Sequence, residues 1–410
     1  MDYETVCGIT LNRIFGYEPA AALSLIKHFG SPGAVFSQDS KTLDNALGPY
    51  SKYRGLLTHD ELEASRKEWD WLKELGCTFV NYCEPGYPPL LADCPDAPVG
   101  LYIRSGTPPE ELFTGAGNST IGSGTTGSKA NGSTTFTRDS ISIVGTRDLS
   151  PYGKEWTEKI VGSISRSPAK PMIVSGFAIG VDITAHLAAL AFGLPTVAVI
   201  PVGIDSIYPL RHRTVAAKMM DTPGCALVTD FPPETGPVPF NFLRRNRIIA
   251  GMSRATILTE SKSKGGGTMT ARLAASYGRE LFCLPGRIDD VRSSGCNILI
   301  KEQLAEAITD PDGIAAQLGL GSTGKGARDL KEMLHACYGS AGEEVCGRLT
   351  AIALHIKANR GATPDEICRA LGLPYGDVAA ACSLLESDGF ICMDLLQRCS
   401  IDNKKAYLCT

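Results

Sequence analysis

Six short, almost uninterrupted apolar runs between residues 141 and 286 constrain the fold of this chain more than any other feature. Segments of helix length separate these runs, which are residues 141–146, 171–176, 196–201, 225–230, 255–260 and 280–286. A strand that is apolar along its whole length is buried on both faces, and strands that alternate with helices build a parallel sheet. The sequence therefore predicts a doubly wound, mostly parallel α/β sheet whose ligands bind at the carboxyl edge of the strands.

Different patterns flank this sheet on both sides. Residues 1–65 alternate helical periodicity with turns, so we predict a small all-helical domain there. After a polar linker at 318–342, residues 343–410 contain three helical segments and two short strands, around 392–396 and 405–409, the pattern of a winged helix. The α/β domain is then expected to cover residues 66–317.

A run of small polar residues interrupts the α/β domain. Of the 21 residues in 115–135, 19 are Gly, Ala, Ser, Thr or Asn. Such a segment has almost nothing apolar to bury and cannot offset the entropy of ordering. We predict a flexible insertion at this point.

The charge of the whole chain argues against a surface that is basic everywhere. The 410 residues include 40 Lys and Arg against 44 Asp and Glu, a formal charge of −4, whereas proteins coated by polyanions usually have a basic surplus. The charge is unevenly distributed, because residues 241–272 hold seven basic residues and one acidic residue. A net-acidic chain of this kind can still present one basic edge.

Cysteine spacing and the apolar pattern exclude several other classes of protein. The 14 cysteines include no Cys-x-x-Cys pair and the six histidines are scattered, so no metal site is expected. The first residues lack the pattern of a secretory signal, and no stretch of about 18 uncharged apolar residues occurs. We therefore expect a cytoplasmic protein with no membrane partner.

Glycine-containing loops follow three of the predicted strands. They contain Gly145, Thr146 and Arg147; Ser175 and Gly176; and residues 203–209. Backbone N–H groups approach an anion closely at glycines, and the helix after each strand favours negative charge at its N-terminus. Each loop alone is also compatible with a simple tight turn, but three such loops on one edge predict a phosphate-binding site.

An arginine-rich helix is the strongest local signal. Residues 241–254 contain four arginines and no acid, and the planar guanidinium group donates two parallel hydrogen bonds to phosphate. Spacing predicts that Arg244 and Arg247 project together, with a solvated helix face as the alternative. Phe242 could stack on a base, although a core position is at least as common for an aromatic residue.

A second glycine-rich loop follows the next strand, and no catalytic group accompanies it. Residues 262–267 lead into a helix, but they lack the spacing of a Walker loop and of the complete Gly-x-Gly-x-x-Gly fingerprint, so no nucleotide cofactor is expected. His186 is interpreted as a core histidine and Asp182 as a residue that orients its own loop. No pair of nucleophile and base is recognisable.

The third helix of the predicted winged helix is acidic. Asp377, Glu386 and Asp388 give it a charge of −3, and no Lys or Arg lies between Pro374 and Asp388. Inserting such a helix beside phosphates is electrostatically unfavourable. A protein-binding or architectural role is the better interpretation of this domain.

Several motifs in the centre of the chain, taken in order, resemble the DNA-processing protein A family, DprA, also called Smf. They are SGFAIGVDITAH, GIDSIYP, NFLRRNRIIAGMS, GTMTAR, LPG and GCNILI. The resemblance spans about residues 80–310. The terminal domains match the family more loosely, as a helical domain similar to a sterile alpha motif (SAM-like) in front and a winged helix behind.

This resemblance implies a Rossmann-like protein that binds single-stranded DNA without catalysis, commonly as a homodimer. It further implies that the protein protects incoming DNA and helps to load a RecA-type recombinase during natural transformation, with no cofactor. Carried over by motif, the residues that would line the DNA pocket are Gly145, Thr146, Arg147, Ser175, Gly176, Phe242, Arg244, Arg245, Asn246, Arg247, Lys262, Lys264, Gly265, Gly266 and Gly267.

Some departures from the family pattern concern the lining of this pocket. Pro201 stands where members often have glycine, and Gly265 to Thr268 replace a loop that more usually contains serine. An alternative function is a Rossmann-like enzyme that acts on small nucleotides, similar to a phosphoribohydrolase, but it requires an acid soon after the glycine-rich loop, and residues 268–275 contain none. A scaffold with an inert sheet is a third hypothesis, which the arginine-rich helix opposes.

Overall fold

The computed structural model describes residues 2–114, 138–310, 313–320, 330–339, 342–359, 361–394 and 397–401. The chain divides into two units, of which the first ends at Ile314 and the second begins at Ala315. The predicted insertion at 115–135 lies outside the described residues. No helix in the described ranges is both long and apolar enough to cross a membrane.

Helices occupy the beginning of the first unit. They are α1 Asp2–Phe15, α2 Pro19–Phe29, α3 Pro32–Phe36, α4 Ser40–Leu47 and α5 His59–Glu74. Side chains cap several of them; for example, Ser31 Oγ accepts from the N–H of Ala34 at 3.1 Å and Thr58 Oγ1 accepts from the N–H of Glu61 at 3.3 Å. The boundary predicted after residue 65 falls inside α5.

Strands and helices alternate through the rest of the first unit. In chain order they are β1 Cys77–Asn81, α6 Pro89–Ala92, β2 Gly100–Arg104, α7 Pro109–Thr114, β3 Ser140–Val144, α8 Pro151–Ser165, β4 Met172–Ser175, α9 Val181–Ala191, β5 Thr196–Val199, α10 Arg213–Asp221, β6 Ala226–Thr229, α11 Pro239–Met252, β7 Ala255–Leu258, α12 Gly266–Ser276, β8 Glu280–Cys283, α13 Ser294–Lys301 and β9 Glu306–Ala307. Strands β3 to β8 coincide with the six apolar runs, as predicted.

The described strands of this unit form one mixed sheet. Their order is β1-β2-β6-β5-β4-β3-β7-β8-β9, with β2 antiparallel to both β1 and β6 and all other neighbours parallel. From β3 the chain adds β4, β5 and β6 on one side and then returns to place β7 on the other side. The prediction of a doubly wound, Rossmann-like, mostly parallel sheet is confirmed, and its topological switch point lies between β3 and β7.

Both faces of the sheet are covered by helices. On β5, Val197 and Val199 belong to the same apolar cluster as Ile248 of α11, whereas Ala198 belongs to the cluster that contains Met219 of α10. Successive side chains of a strand point to opposite faces. This double burial is the physical reason why the strands are apolar along their whole length.

Helices α1 and α5 share a core with the sheet. Val6 and Ile9 of α1 and Leu72 of α5 are buried in one cluster with Phe79 of β1 and Tyr102 of β2. The antiparallel edge of the sheet therefore packs directly against the helical region. Residues 1–65 form helices, as the periodicity predicts, and these helices are part of the first unit.

The second unit contains the three helices and the first of the two strands predicted after residue 343, whereas the second predicted strand, at 405–409, lies outside the described residues. A short helix, α14 Ile314–Gln317, includes the point at which the two units join, and the later elements are α15 Leu330–Tyr338, α16 Glu343–Ala358, α17 Pro364–Leu371, α18 Tyr375–Ser387, β10 Ile391–Met393 and β11 Cys399–Ile401. Strands β10 and β11 pair antiparallel. Helix α15 lies in the segment predicted to be a linker. Leu334 and Tyr338 of this helix are buried in the core of the second unit, so this part of the segment is folded with that unit.

Candidate nucleic-acid interface

The loops that follow β3 and β7 meet at the switch point of the sheet. The N–H of Thr146 donates to the carbonyl of Glu260 at 2.7 Å. A Cβ added to Gly145 would lie 2.7 Å from that carbonyl oxygen, and one added to Gly267 would lie 2.9 Å from Cα of Gly145. Only glycine fits at these two positions, because the two loops are in backbone contact.

Both oxygens of the carboxylate at this junction accept hydrogen bonds from the first loop. Glu260 is buried, and it accepts hydrogen bonds from the N–H of Ser150 at 3.0 Å and from the Ser150 hydroxyl. The same hydroxyl oxygen accepts from the N–H of Gly153 at 3.0 Å and thereby caps α8. Glu260 therefore fixes the conformation of residues 145–150.

Arg147 projects from this fixed loop onto an aromatic side chain. It is exposed, and its guanidinium carbon lies 4.7 Å from the ring centroid of Phe242, at the start of α11. The ring of Tyr208, in the loop after β5, meets Phe242 edge to face with centroids 5.5 Å apart. We call Arg147, Phe242 and Tyr208 the Arg147 cluster; it combines a cation with aromatic rings at the carboxyl edge of the sheet.

Two exposed lysines lie on the loop beside Gly145. Lys262 and Lys264 precede α12, and Gly265 is the N-cap residue of that helix. The loop is anchored because the hydroxyl of Thr268 donates to the carbonyl of Lys262 at 2.8 Å. The first N–H groups of a helix have no acceptor within it, so Gly266 and Gly267 add backbone donors to the positive charge of the lysines.

Two arginines of α11 converge on one buried acid. Asp230, directly after β6, is 1% exposed, and its Oδ2 lies 2.9 Å from Arg244 Nη2 and 2.5 Å from Arg247 Nη2. Arg244 also donates to the carbonyl of Gly16, and Arg247 to the carbonyl of Asp96. Their guanidinium groups therefore share one counter-charge and are hydrogen-bonded within the protein.

The third arginine of the motif holds the ends of two strands. Arg245 is 4% exposed and donates hydrogen bonds to two backbone carbonyls. One belongs to Gly176, directly after β4, and the other to Val199, the last residue of β5. Burial lowers the pKa of Arg245 to about 10, and burial raises the pKa of the neighbouring Asp182 to about 6. Each group partly offsets the effect of burial on the other through its charge.

These contacts differ from our expectation for part of the DNA pocket. The residues whose polar groups lie inside the protein are Ser175, Gly176, Arg244, Arg245, Asn246 and Arg247. The Ser175 hydroxyl donates to the carbonyl of Ile143 at 2.6 Å, and Asn246 Oδ1 accepts from Arg245 Nε at 3.3 Å. Helical spacing places the arginines on common faces, but it does not show what those faces meet.

The structure adds Asp230 to the residues singled out from the sequence, and it assigns an aromatic contact to Tyr208 of the predicted loop 203–209. Tyr208 completes the Arg147 cluster, and Asp230 is the counter-charge of α11. The sequence offers one indication of the role of Asp230. It is an acid at the carboxyl end of a predicted strand, and the arginine-rich helix is expected near the same edge of the sheet. Strand order decides whether the two meet, and the sequence alone leaves that order open.

The interpretations of His186 and Asp182 are confirmed. His186 is fully buried, its Nδ1 lies 2.7 Å from Thr196 Oγ1, and burial lowers its pKa to about 3, so it is a neutral core residue. Asp182 accepts hydrogen bonds from the backbone of Gly176 and Ala178 in its own loop.

The basic surplus of residues 241–272 is largely neutralised by acids from elsewhere in the chain. Besides the contacts of α11, Arg254 lies 3.5 Å from Asp139 and Arg272 lies 2.8 Å from Glu302. Lys262 and Lys264, together with Arg147 from the loop after β3, carry exposed positive charge at this edge. The exposed basic site is therefore smaller than the number of basic residues in 241–272 suggests.

The fold and this edge define a Rossmann-like protein with a cationic, aromatic site at its switch point. Residues 129–319 match the model of the family described as DNA recombination-mediator protein A. This part of the chain is similar to members of that family. The match includes every residue of the predicted pocket.

Two curated relatives and one solved structure show the extent of the similarity. Protein Smf of Escherichia coli K12 is 39% identical over 181 residues, 44% of this chain and 47% of the relative. DNA processing protein DprA of Streptococcus pneumoniae is 36% identical over 179 residues, 43% of this chain and 61% of the relative. The chain thus matches about half the length of these relatives. The X-ray structure of DprA from Streptococcus pneumoniae superposes with a TM-score of 0.57 at 25% identity, covering 76% of this chain and 97% of that one.

Proposed function

We propose that this chain binds single-stranded DNA at the carboxyl edge of its sheet. The observation that carries the proposal is the exposed guanidinium of Arg147, held 4.7 Å from the ring centroid of Phe242 and on a loop next to Lys262 and Lys264. Proteins that bind single strands combine a cationic groove for the phosphates with aromatic rings on which bases stack. In a duplex the faces of the bases are already stacked, so the cluster favours the single strand.

Within this proposal the protein is a recombination mediator. We infer that it protects incoming single-stranded DNA and helps to load a RecA-type recombinase in natural transformation, as a homodimer in the cytoplasm. The description of the matching family supports the mediator role. Helix α18 supports a division of labour, because Glu386 is exposed on it and the helix contains no Lys or Arg to bind phosphate, leaving that unit for contacts with proteins.

We further propose that binding occurs without catalysis. The carboxylate at the switch point, Glu260, is enclosed by hydrogen bonds from Ser150 and is not placed to activate water. An enzyme that splits nucleotides needs a free carboxylate beside the bound ribose. Incubation with nucleoside monophosphates followed by chromatography tests this point, and release of a free base would favour the enzyme.

The binding proposal is tested by fluorescence anisotropy with oligo-dT and a duplex of equal length across a salt series. The matched control for Arg147→Ala is Arg66→Ala, since Arg66 is also exposed but lies on α5. We expect tighter binding of oligo-dT, a steep loss of affinity with salt, and weaker binding of Arg147→Ala by about 1–3 kcal/mol. Equal affinity of Arg147→Ala, Arg66→Ala and the unchanged chain for oligo-dT would contradict the proposal.

The two partner proposals have separate tests. Light scattering after size-exclusion chromatography measures the mass of the protein, and a value near twice 43.6 kDa supports the homodimer. Strand exchange by a RecA-type recombinase on DNA coated with single-strand-binding protein should accelerate when this chain is added. No acceleration would remove the loading role and leave DNA binding in place.

A further inference from the structure

A second pair of aromatic rings lies at the junction of α1 and α11. Tyr17 follows α1 and Phe240 lies in the first turn of α11, with ring centroids 5.9 Å apart. The two residues are 63% and 60% exposed. Large exposed aromatic residues in contact with each other are unusual on a monomer surface and indicate a binding function. We call Tyr17 and Phe240 the Tyr17 pair.

The Tyr17 pair and the Arg147 cluster lie on opposite sides of the same helical turn. Residues two apart on a helix point in different directions, and the contacts agree, because Phe240 meets Tyr17 whereas Phe242 meets Tyr208 and Arg147. The diameter of a helix with its side chains is about 10–12 Å. Nucleotides of a stacked strand rise about 3.4 Å each, so about three of them bridge the two aromatic groups.

The Tyr17 ring is held in place by Arg244, an arginine of α11 that is anchored by hydrogen bonds. The guanidinium carbon of Arg244 lies 4.5 Å from the Tyr17 ring centroid. The same guanidinium group is hydrogen-bonded to Asp230 and to the carbonyl of Gly16. A ring that is already ordered loses little entropy when a ligand binds. A cation on an aromatic ring also suits the stacking of a base.

The local charge permits an anionic ligand. The first turn of α11 contains no acid. Two acids close to the pair have basic partners, since Asp230 binds both Arg244 and Arg247, and Glu18, next to Tyr17, binds Lys52. No uncompensated carboxylate of these groups opposes the approach of phosphate.

We propose that the Tyr17 pair is a second stacking site for a base of the same single strand, which crosses the start of α11 from the Arg147 cluster. This inference rests on the proposed function. It assigns a role to the helical region: Tyr17 supplies part of the DNA site, and Arg244 supports that site from within. A single strand fits better than a protein partner, because both aromatic groups combine rings with a guanidinium and are joined across one turn that lacks acids.

The affinity test uses oligo-dT of two lengths and variants of the pair. Tyr17→Ala and Phe240→Leu remove a ring each, Tyr17→Phe retains it, and Tyr50→Ala is the control, a 99% exposed tyrosine of the same helical region. With about 16 nucleotides, Tyr17→Ala and Phe240→Leu should each bind about five-fold or more weakly, whereas with about 2 nucleotides, too few to reach both aromatic groups, they should match the unchanged chain. Tyr17→Phe and Tyr50→Ala should bind both lengths normally.

Photocrosslinking supplies a direct readout. Oligonucleotides in which one thymine is replaced by 5-bromouracil are irradiated on the full chain, and crosslinked peptides are identified by mass spectrometry. We expect crosslinks to Tyr17 or Phe240 from a position about three nucleotides away from the one that crosslinks to Phe242.

The outcomes separate this inference from the proposed function. If Arg147→Ala weakens binding while Tyr17→Ala and Phe240→Leu bind the longer strand normally and no crosslink forms at the pair, the second site is wrong and the first stands. If Arg147→Ala also binds normally, the proposed function itself fails. Loss of recombinase loading by Tyr17→Ala with unchanged DNA affinity would identify the pair as a protein contact and overturn the inference.

Discussion

The arginine of the loop after β3 and the arginines of α11 contrast sharply, although both belong to one edge of the sheet. Arg147 is exposed and touches the ring of Phe242. Arg244 and Arg247 share the buried carboxylate of Asp230, and Arg245 binds the carbonyls of Gly176 and Val199. The denser cluster in the sequence is therefore structural, whereas the isolated arginine is free to bind a ligand.

The difference shows that the charge of a sequence window is not the charge of a surface. The acids that interact with the arginines of α11 are Asp230, directly after β6, and Asp182, in the first turn of α9. Both are distant from α11 in the sequence but close to it in the folded protein. A buried arginine requires such a partner, because an unpaired charge in the interior is strongly unfavourable. The following four experiments test this contrast, from the largest expected effect to the smallest.

Asp230→Ala should destabilise the protein most. It removes the carboxylate shared by Arg244 and Arg247, whose side chains are 9% and 8% exposed, and leaves two buried positive charges uncompensated. Breaking a buried ion pair in this way costs about 3–5 kcal/mol. Urea denaturation measures the loss, with Asp70→Ala, in an exposed pair with Lys73, as the control that should change little. Equal stability of the two variants would refute the structural role of Asp230.

Asp182 should make stability depend on pH in the opposite sense to an ordinary surface carboxylate. Burial raises its folded pKa from 3.8 to about 6, so the folded protein retains a proton that the unfolded chain releases. Its contribution is therefore present in full below about pH 4 and is lost as the pH rises through 6.

The measurement for Asp182 compares the unfolding free energy of the unchanged chain with that of Asp182→Asn at several pH values. Because Asn does not titrate, the difference isolates this carboxyl. Between pH 4 and pH 7 the unchanged chain should lose up to about 3 kcal/mol relative to Asp182→Asn. Parallel curves would show that Asp182 is ionised normally beside Arg245.

Arg147→Lys should separate charge from stacking in the exposed site. Lysine keeps the positive charge but lacks the planar guanidinium that lies on the Phe242 ring. We expect an affinity for oligo-dT between those of the unchanged chain and Arg147→Ala, with a loss of about 1 kcal/mol and a salt dependence close to that of the unchanged chain. Full affinity in Arg147→Lys would mean that the ring contact contributes nothing.

Lys262→Gln and Lys264→Gln should have the smallest effects. Both lysines are exposed, so neither change should alter stability, and each removes one cation from beside the phosphate backbone. The slope of log affinity against log salt should fall by about 0.7 for each phosphate that the protein no longer neutralises. An unchanged slope in the double variant would place the strand away from this loop.

The secondary structure and the sheet were predictable because burial on both faces leaves a direct trace in the sequence. The strands β3 to β8 and the helices of residues 1–65 follow from local patterns of apolar residues, whereas β11, at Cys399–Ile401, was not predicted. The same patterns locate the candidate site at the carboxyl edge, since every parallel strand ends there. Gly145 and Arg147 were identified in this way, whereas residues 262–267 were assigned to the pocket by their resemblance to the DprA family.

What the sequence determined is thus which residues form strands and helices and at which edge their loops gather. Only the tertiary structure decided which arginines face solvent, because that depends on strand order: placing β6 beside β5 brings Asp230 under α11. It also decided that Tyr17, from the first helices, meets Phe240, more than 200 positions later in the chain. Local patterns record the burial of a residue, whereas the partner of a charge or a ring is set by contacts between distant segments.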